Sequence, residues 1–179
     1  LANVLGNFVN RITKYTVSKF DGKVPEAGQA GESEAWMVAE LKDRLPRLIE
    51  HYEAMEFRKA AAETRAIWAA GNEYLTKAEP WVKYKSDVDA AAVGVRTGLN
   101  LAALFGILAL PIIPEAGKKI LDALGIPEEH RTFGFRDIAG LLDSLPHGME
   151  ISPPDVLFQK IEDTQVAEWT ERFGGGDQA

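Results

Sequence analysis

The chain has 179 residues, 46% of them hydrophobic and 26% charged, and a formal net charge of −7. This length and composition are typical of one soluble globular domain with a well-buried core. The absence of cysteine excludes disulfides, thiolate zinc sites and cysteine nucleophiles. The longest apolar run, residues 101–113, is shorter than the roughly 20 residues that cross a bilayer. We also find no signal-peptide pattern, so no membrane segment is expected.

The negative charge is unevenly distributed along the chain. Residues 1–23 carry four basic side chains against one acidic, and residues 58–85 carry six against three. Residues 24–57 and 86–179 are acidic instead, with three basic against eight acidic side chains and seven against fifteen. An acidic protein whose basic residues are confined to two segments is more suited to selective binding of one charged ligand than to indiscriminate binding of phosphates. The alternative is that the basic residues cluster by chance.

The first helix is predicted to be amphipathic. Apolar side chains recur along it at helical spacing: Leu1, Leu5, Phe8, Ile12 and Tyr15. At about 100° per residue, the opposite face carries Asn3, Asn7, Asn10 and Lys14, with Arg11 at its edge. Asparagine is a mediocre helix former, so three asparagines on one stripe destabilise the helix, but their amides can hydrogen-bond to base edges. The alternative is a merely solvated face.

Two long helices should follow the first. The spacing of apolar residues predicts the second from Glu32 to Met55 and the third from Phe57 to about Ala78. Pro46 should kink the second helix near Lys42 or Asp43, because proline removes one backbone hydrogen bond.

The fourth helix should be the centre of the bundle. It is almost entirely apolar from Ala90 to Leu110, and a helix that is apolar on all sides is buried. Ser86 is in position to cap it. We expect its polar exceptions, Arg96 and Asn100, to satisfy polar groups inside the bundle rather than to bind a ligand. A fifth helix is expected from Pro114 to Leu124.

No periodicity persists after Gly125, so the C-terminal part is predicted to be irregular. Five apolar side chains should return to cover the bundle: Phe133, Phe135, Ile138, Leu141 and Leu142. Leu157 and Phe158 could make one short extended pairing, and the glycines from Gly174 have the composition of a flexible linker. The expected fold is therefore all-α, a helical bundle of about five main helices with an irregular C-terminal segment packed on it. The domain should span 1–173, followed by a linker or tail at 174–179.

The segment that ends the third helix carries the first candidate binding residue. Pro80 lacks a backbone N–H and disfavours the helical conformation of Glu79, so the helix must end there. Trp81 then lies at a corner between helices, with several lysines close in sequence. A flat ring surrounded by cations suits a stacked nucleobase. The alternative is an indole that plugs the end of the bundle.

Catalytic motifs are not visible in the sequence. The three histidines, His51, His130 and His147, are far apart and lack the spacing of a metal motif. There is no P-loop, no dinucleotide fingerprint and no nucleophile elbow. The side chains alone therefore predict a binding or structural helical module.

Three segments resemble the anticodon-binding domain of methionyl-tRNA synthetases. The first helix is similar in residues 1–11 and 19–22, the Pro-Trp corner in residues 72–81, and the central helix with its proline-bounded exit in residues 100–101 and 110–114. Residues 157–162 are also like the closing segment of that family. The order and spacing agree over nearly the whole chain.

The resemblance implies an all-helical domain that binds the anticodon loop of the methionine tRNA. It implies that Trp81 stacks on an anticodon base and that Asn3, Asn7 and Arg11 contact the bases. It further implies a cytoplasmic protein whose catalytic domain lies on the N-terminal side and uses ATP and Mg²⁺ to join methionine to tRNA. This chain would then bind no cofactor, would be inactive alone, and would be monomeric.

Two rivals to this interpretation remain. One is a helical protein–protein interaction module that uses Trp81 as an interface hot spot. The other is the equivalent domain of another class Ia synthetase.

Overall fold

The computed structural model describes residues 2–26, 28–132 and 137–174. The predicted all-α architecture is confirmed, and a π-helical turn (Ala2–Gly6) precedes the first helix, while a 3-10 turn spans Glu128–His130. The helices are α1 (Asn7–Lys19), α2 (Glu32–Glu53), α3 (Phe57–Ala78), α4 (Pro80–Lys83), α5 (Val88–Ala109), α6 (Pro114–Ala123), α7 (Ile138–Leu141) and α8 (Asp163–Phe173).

Helix α5 is the core of the bundle, as predicted. Judged by length and composition alone, with a mean hydropathy of 1.6, it could cross a membrane. The sequence estimate missed this because it counted only the uninterrupted apolar run. However, 94% of the apolar window is buried inside the protein, which is the property of a core helix. Helices α1, α3, α4 and α6 contact α5, and α2 packs on α3.

A close approach of three helices holds α1 in place. The rings of Phe8 on α1 and Phe105 on α5 lie 4.9 Å apart, centroid to centroid, and both side chains are fully buried. Gly71 on α3 faces them, and a Cβ at this position would lie 2.5 Å from the Phe105 ring. Only glycine permits this close approach of α3 to the Phe105 ring. Because the apolar face of α1 packs against the core at this point, its polar stripe faces outward.

The cap of one helix differs from the sequence prediction. The cap of α5 is Asp87 and not Ser86, because the Asp87 carboxylate accepts a hydrogen bond from the Ala90 amide (2.9 Å). A carboxylate at this position also interacts favourably with the positive end of the helix. Helix α2 continues through Pro46, in agreement with the predicted second helix, and the kink stays a prediction.

Arg96 and Asn100 of α5 satisfy groups within the bundle, as predicted. Asn100 Oδ1 accepts from the Ser144 amide (3.0 Å), the Ser144 hydroxyl (2.9 Å) and the Leu145 amide (2.9 Å). The Arg96 guanidinium pairs with the Asp143 carboxylate at 2.9 Å. These contacts tie the loop after α7 to the core helix.

The C-terminal part is more helical than the sequence indicated. Helix α8 has 11 residues, none of them buried, and its start is stabilised by a hydrogen bond from the Glu162 amide to the Gln165 side chain (3.1 Å). A helix that does not pack on the core needs no continuous apolar face, so the spacing of apolar residues gives only a weak indication of it. Leu157 and Phe158 form no strand, and the β-bridge that the described residues contain joins Lys23 to Glu150.

Part of the predicted C-terminal cover is present. Ile138 and Leu142 are buried against the core, and Leu141 is half-buried. Phe133, Phe135 and residues 175–179 of the predicted linker lie outside the described residues.

Candidate nucleic-acid interface

A sharp corner follows α3, where the sequence predicted a helix end. Glu79 has left-handed backbone angles (φ 45°, ψ 49°), whereas a residue before proline usually adopts an extended conformation. The left-handed conformation is common just after a helix, and here the Glu79 amide donates to the Leu75 carbonyl (3.1 Å). Pro80 is buried and begins α4. The chain therefore changes direction at one residue, and Trp81 lies at the corner.

Trp81 is half-buried and is not enclosed by the core. The Tyr15 ring packs against it edge-on, with the centroids 6.4 Å apart and the planes at 82°. The Tyr15 hydroxyl donates to the Pro80 carbonyl (3.4 Å). Burial, with a smaller contribution from Tyr84, raises the pKa of Tyr15. The indole is thus supported from one side, in contrast to a fully buried plug.

Helix α1 separates its apolar and polar faces as predicted. Phe8 and Ile12 are buried, while Tyr15 is half-buried at the edge of the apolar face. Asn3 belongs to the π-helical turn rather than to α1, and its carbonyl accepts from the Asn7 amide side chain (3.2 Å). The polar stripe is exposed along its whole length: Asn3, Asn7, Asn10, Arg11 and Lys14.

The Arg11 guanidinium lies over the Trp81 indole. Its Cζ atom is 4.4 Å from the ring centroid, a distance within the cation–π range. Such a contact at the surface contributes about 0.5–1 kcal/mol, enough to orient both side chains but weak enough to be exchanged for another partner. The contact joins α1 to the corner in one surface, which we call the α1–α4 face: Asn3, Asn7, Arg11 and Trp81.

Cations surround the α1–α4 face. Lys19 Nζ lies 5.5 Å from the centroid of the Tyr84 ring. Lys77, which precedes the corner in sequence, turns instead towards α2, where its Nζ is 4.9 Å from the Trp36 ring centroid and 3.4 Å from a Glu73 oxygen. Among the described residues, five cations near this face or the corner have no ion-pair partner: Arg11, Lys14, Lys19, Lys83 and Lys85.

An aromatic cluster behind the corner escaped the sequence analysis. Tyr15, Phe20 and Tyr84 contact one another, with ring centroids 5.5–6.4 Å apart. The Tyr84 hydroxyl donates to the Lys19 carbonyl (3.3 Å). The cluster fixes α4 against the end of α1 and therefore sets where Trp81 lies. The sequence feature that could have indicated this cluster was Tyr15, which belongs to the apolar stripe of the first helix but carries a polar hydroxyl.

The chemistry of this face is recognition rather than catalysis. A half-exposed indole offers a flat apolar surface, asparagine amides offer donors and acceptors, and a guanidinium offers a planar set of donors. No group of His, Asp and Glu side chains among the described residues could hold a metal ion. Such a face suits a flat, negatively charged ligand with polar edges.

A family model for the anticodon-binding domain of methionyl-tRNA ligase matches residues 24–178. The chain belongs to this family. The methionine–tRNA ligase of Maricaulis maris is 77% identical to it over 180 residues, which cover 100% of this chain and 32% of that protein. The methionine–tRNA ligase of Hyphomonas neptunium is 75% identical over 180 residues, which cover 98% of this chain and 31% of that protein. The free methionyl-tRNA synthetase of Mycobacterium tuberculosis has a similar fold, with a TM-score of 0.78, 26% identity, and coverage of 90% of this chain and 32% of that one.

Membership of the methionyl-tRNA ligase family confirms the resemblance that the sequence motifs indicated. The family model begins after α1, whereas the match to the Maricaulis maris protein covers 100% of this chain. This chain spans about a third of the length of these relatives.

Proposed function

We propose that this chain is the tRNA-recognition domain of a methionine–tRNA ligase and that its α1–α4 face binds the anticodon loop of the methionine tRNA. The contact between the Arg11 guanidinium and the Trp81 indole carries the proposal, because it joins a half-buried ring to the helix that carries the asparagine stripe. Family membership supports the same ligand. The unpaired cations nearby supply the charge that an RNA backbone requires.

In this mechanism one anticodon base leaves the loop and stacks on the Trp81 indole. Arg11, which covers the ring in the free protein, moves to the edge of that base or to a phosphate. Asn3 and Asn7 then hydrogen-bond to the edges of bases, as proteins do when they read single-stranded loops. Stacking contributes about 1–3 kcal/mol per base.

The catalytic step belongs to a domain outside this chain. We place that domain on the N-terminal side, where it would use ATP and Mg²⁺ to join methionine to the tRNA. This chain would supply tRNA recognition alone, as a monomeric module of a cytoplasmic enzyme.

The test is the affinity of the full-length protein for the methionine tRNA. Trp81→Ala should weaken binding about 5- to 150-fold, the equivalent of one lost stacking contact. Trp36→Ala is the matched control, because Trp36 is also a half-buried indole with a cation over its ring, but it lies on α2. The control should bind normally.

Wild-type affinity in a folded Trp81→Ala variant would refute the role of this residue, as would an equal loss in Trp36→Ala. Two further measurements test the ligand itself. A changed anticodon should weaken binding of the wild type, because the edges of the new bases no longer match Asn3, Asn7 and Arg11. Binding should also weaken steeply with salt, whereas a protein-binding module would respond only weakly.

A further inference from the structure

A groove borders the α1 polar stripe on the side away from the corner. It encloses about 380 Å³ between Asn7, Asn10 and Lys14 of α1 and the segment Pro154–Phe158, within the roughly 300–1,000 Å³ of small-ligand sites. The Phe158 ring lies so close to α1 that a Cβ on Gly6 would be 3.3 Å from it. We call this the C-terminal groove. It is built from two parts of the chain that are far apart in sequence.

The walls of the C-terminal groove differ in charge. Lys14 has no ion-pair partner among the described residues and offers an ammonium on the α1 wall. Asp155 offers a carboxylate on the opposite wall, which repels phosphate but accepts hydrogen bonds from the amino groups of bases. Asn10 adds a donor and an acceptor, and the half-buried Phe158 ring adds an apolar surface. The groove therefore fits a nucleotide whose phosphate lies towards Lys14 and whose base lies towards Asp155.

The groove is continuous with the α1–α4 face. Asn7 lines the groove and belongs to that face, and Asn10 precedes Arg11 directly. One residue turns the helix by about 100°, which on a cylinder of about 5–6 Å radius separates the two side chains by about 9 Å. A ligand on Trp81 and a ligand in the groove would thus be neighbours across α1, as adjacent parts of one strand are.

We propose that the C-terminal groove is a second nucleotide subsite, which binds a base next to the one stacked on Trp81 in the same RNA strand. This inference rests on the proposed function. It assigns Asn10 and Phe158 to the base, Lys14 to its phosphate, and Asp155 to an exocyclic amino group. The subsite would favour adenine, cytosine or guanine over uracil, which has no such group.

The experiment measures binding of the full-length protein to the methionine tRNA. Asn10→Ala, Lys14→Ala and Phe158→Ala should each weaken it, by about 3- to 30-fold for a lost base or phosphate contact. Lys14→Ala should also lower the slope of log affinity against log salt by about 1. The matched control is Lys42→Ala, since Lys42 is an exposed lysine of α2 with no ion pair among the described residues. It should retain wild-type affinity.

An abasic scan of the anticodon loop identifies the base. For one abasic position, Asn10→Ala and Phe158→Ala should bind the abasic RNA as well as wild type does. Trp81→Ala should still bind that RNA more weakly than wild type. If no position has this property, or if the three groove variants bind the intact tRNA normally, the subsite does not exist. If Trp81→Ala keeps full affinity while the groove variants lose it, the function assigned to Trp81 fails instead.

Discussion

The hydrogen bonds of Asn100 make the sharpest prediction about stability. Asn100→Ala removes the acceptor of the Leu145 amide, which is buried, and of the Ser144 amide and hydroxyl, which can turn to water. A buried donor without a partner costs about 1–3 kcal/mol, and the lost bonds of Ser144 add about 1 kcal/mol. We therefore expect a loss of about 2–4 kcal/mol in the free energy of unfolding.

For a domain of this size, that loss corresponds to a decrease in Tm of roughly 5–15 °C. Urea unfolding of this chain, followed by circular dichroism, measures the free energy, and amide hydrogen exchange at Leu145 reports the local opening. Ser144→Ala is the control, because it removes one hydroxyl and leaves both backbone bonds to Asn100; it should cost less than about 1 kcal/mol. The reasoning is wrong if Asn100→Ala is no more destabilising than Ser144→Ala.

Two further predictions concern α3. In Gly71→Ala the new Cβ lies 2.5 Å from the buried Phe105 ring. The resulting overpacking should cost about 2–3 kcal/mol, which exceeds the gain of about 1 kcal/mol in helix propensity. A variant that is at least as stable as wild type in chemical denaturation would contradict this prediction. The Tyr74 hydroxyl donates to Glu34 (2.6 Å), and burial, then the Glu34 carboxylate, raises the pKa of Tyr74. Its contribution to stability is therefore complete below the pKa of about 10 of the unfolded chain and decreases progressively as the pH rises above that value towards the higher pKa of the folded chain. Urea unfolding from about pH 9 to about pH 11 should show a steeper loss of stability in wild type than in Tyr74→Phe, and equal slopes would exclude this linkage.

The local pattern of the sequence determined the five main helices and which sides of α1 and α5 are buried. The burial of α5 and the outward polar stripe of α1 follow from the spacing of apolar side chains, because hydrophobic burial depends on which residues share a helix face. The break before Trp81 follows from the chemistry of Pro80 alone. Helix α8 was missed because none of its residues is buried.

Tertiary packing alone decided which surfaces meet. Arg11 reaches Trp81 because α1 and α4 both pack on α5, and no local pattern encodes the relative rotation of two helices. The same packing turned Lys77 away from the corner to Trp36. It also brought Phe158 against Gly6, which forms the C-terminal groove. Contacts between distant residues depend on how side chains interlock in a close-packed core, so the composition of the candidate site was readable from the sequence, but its geometry was not.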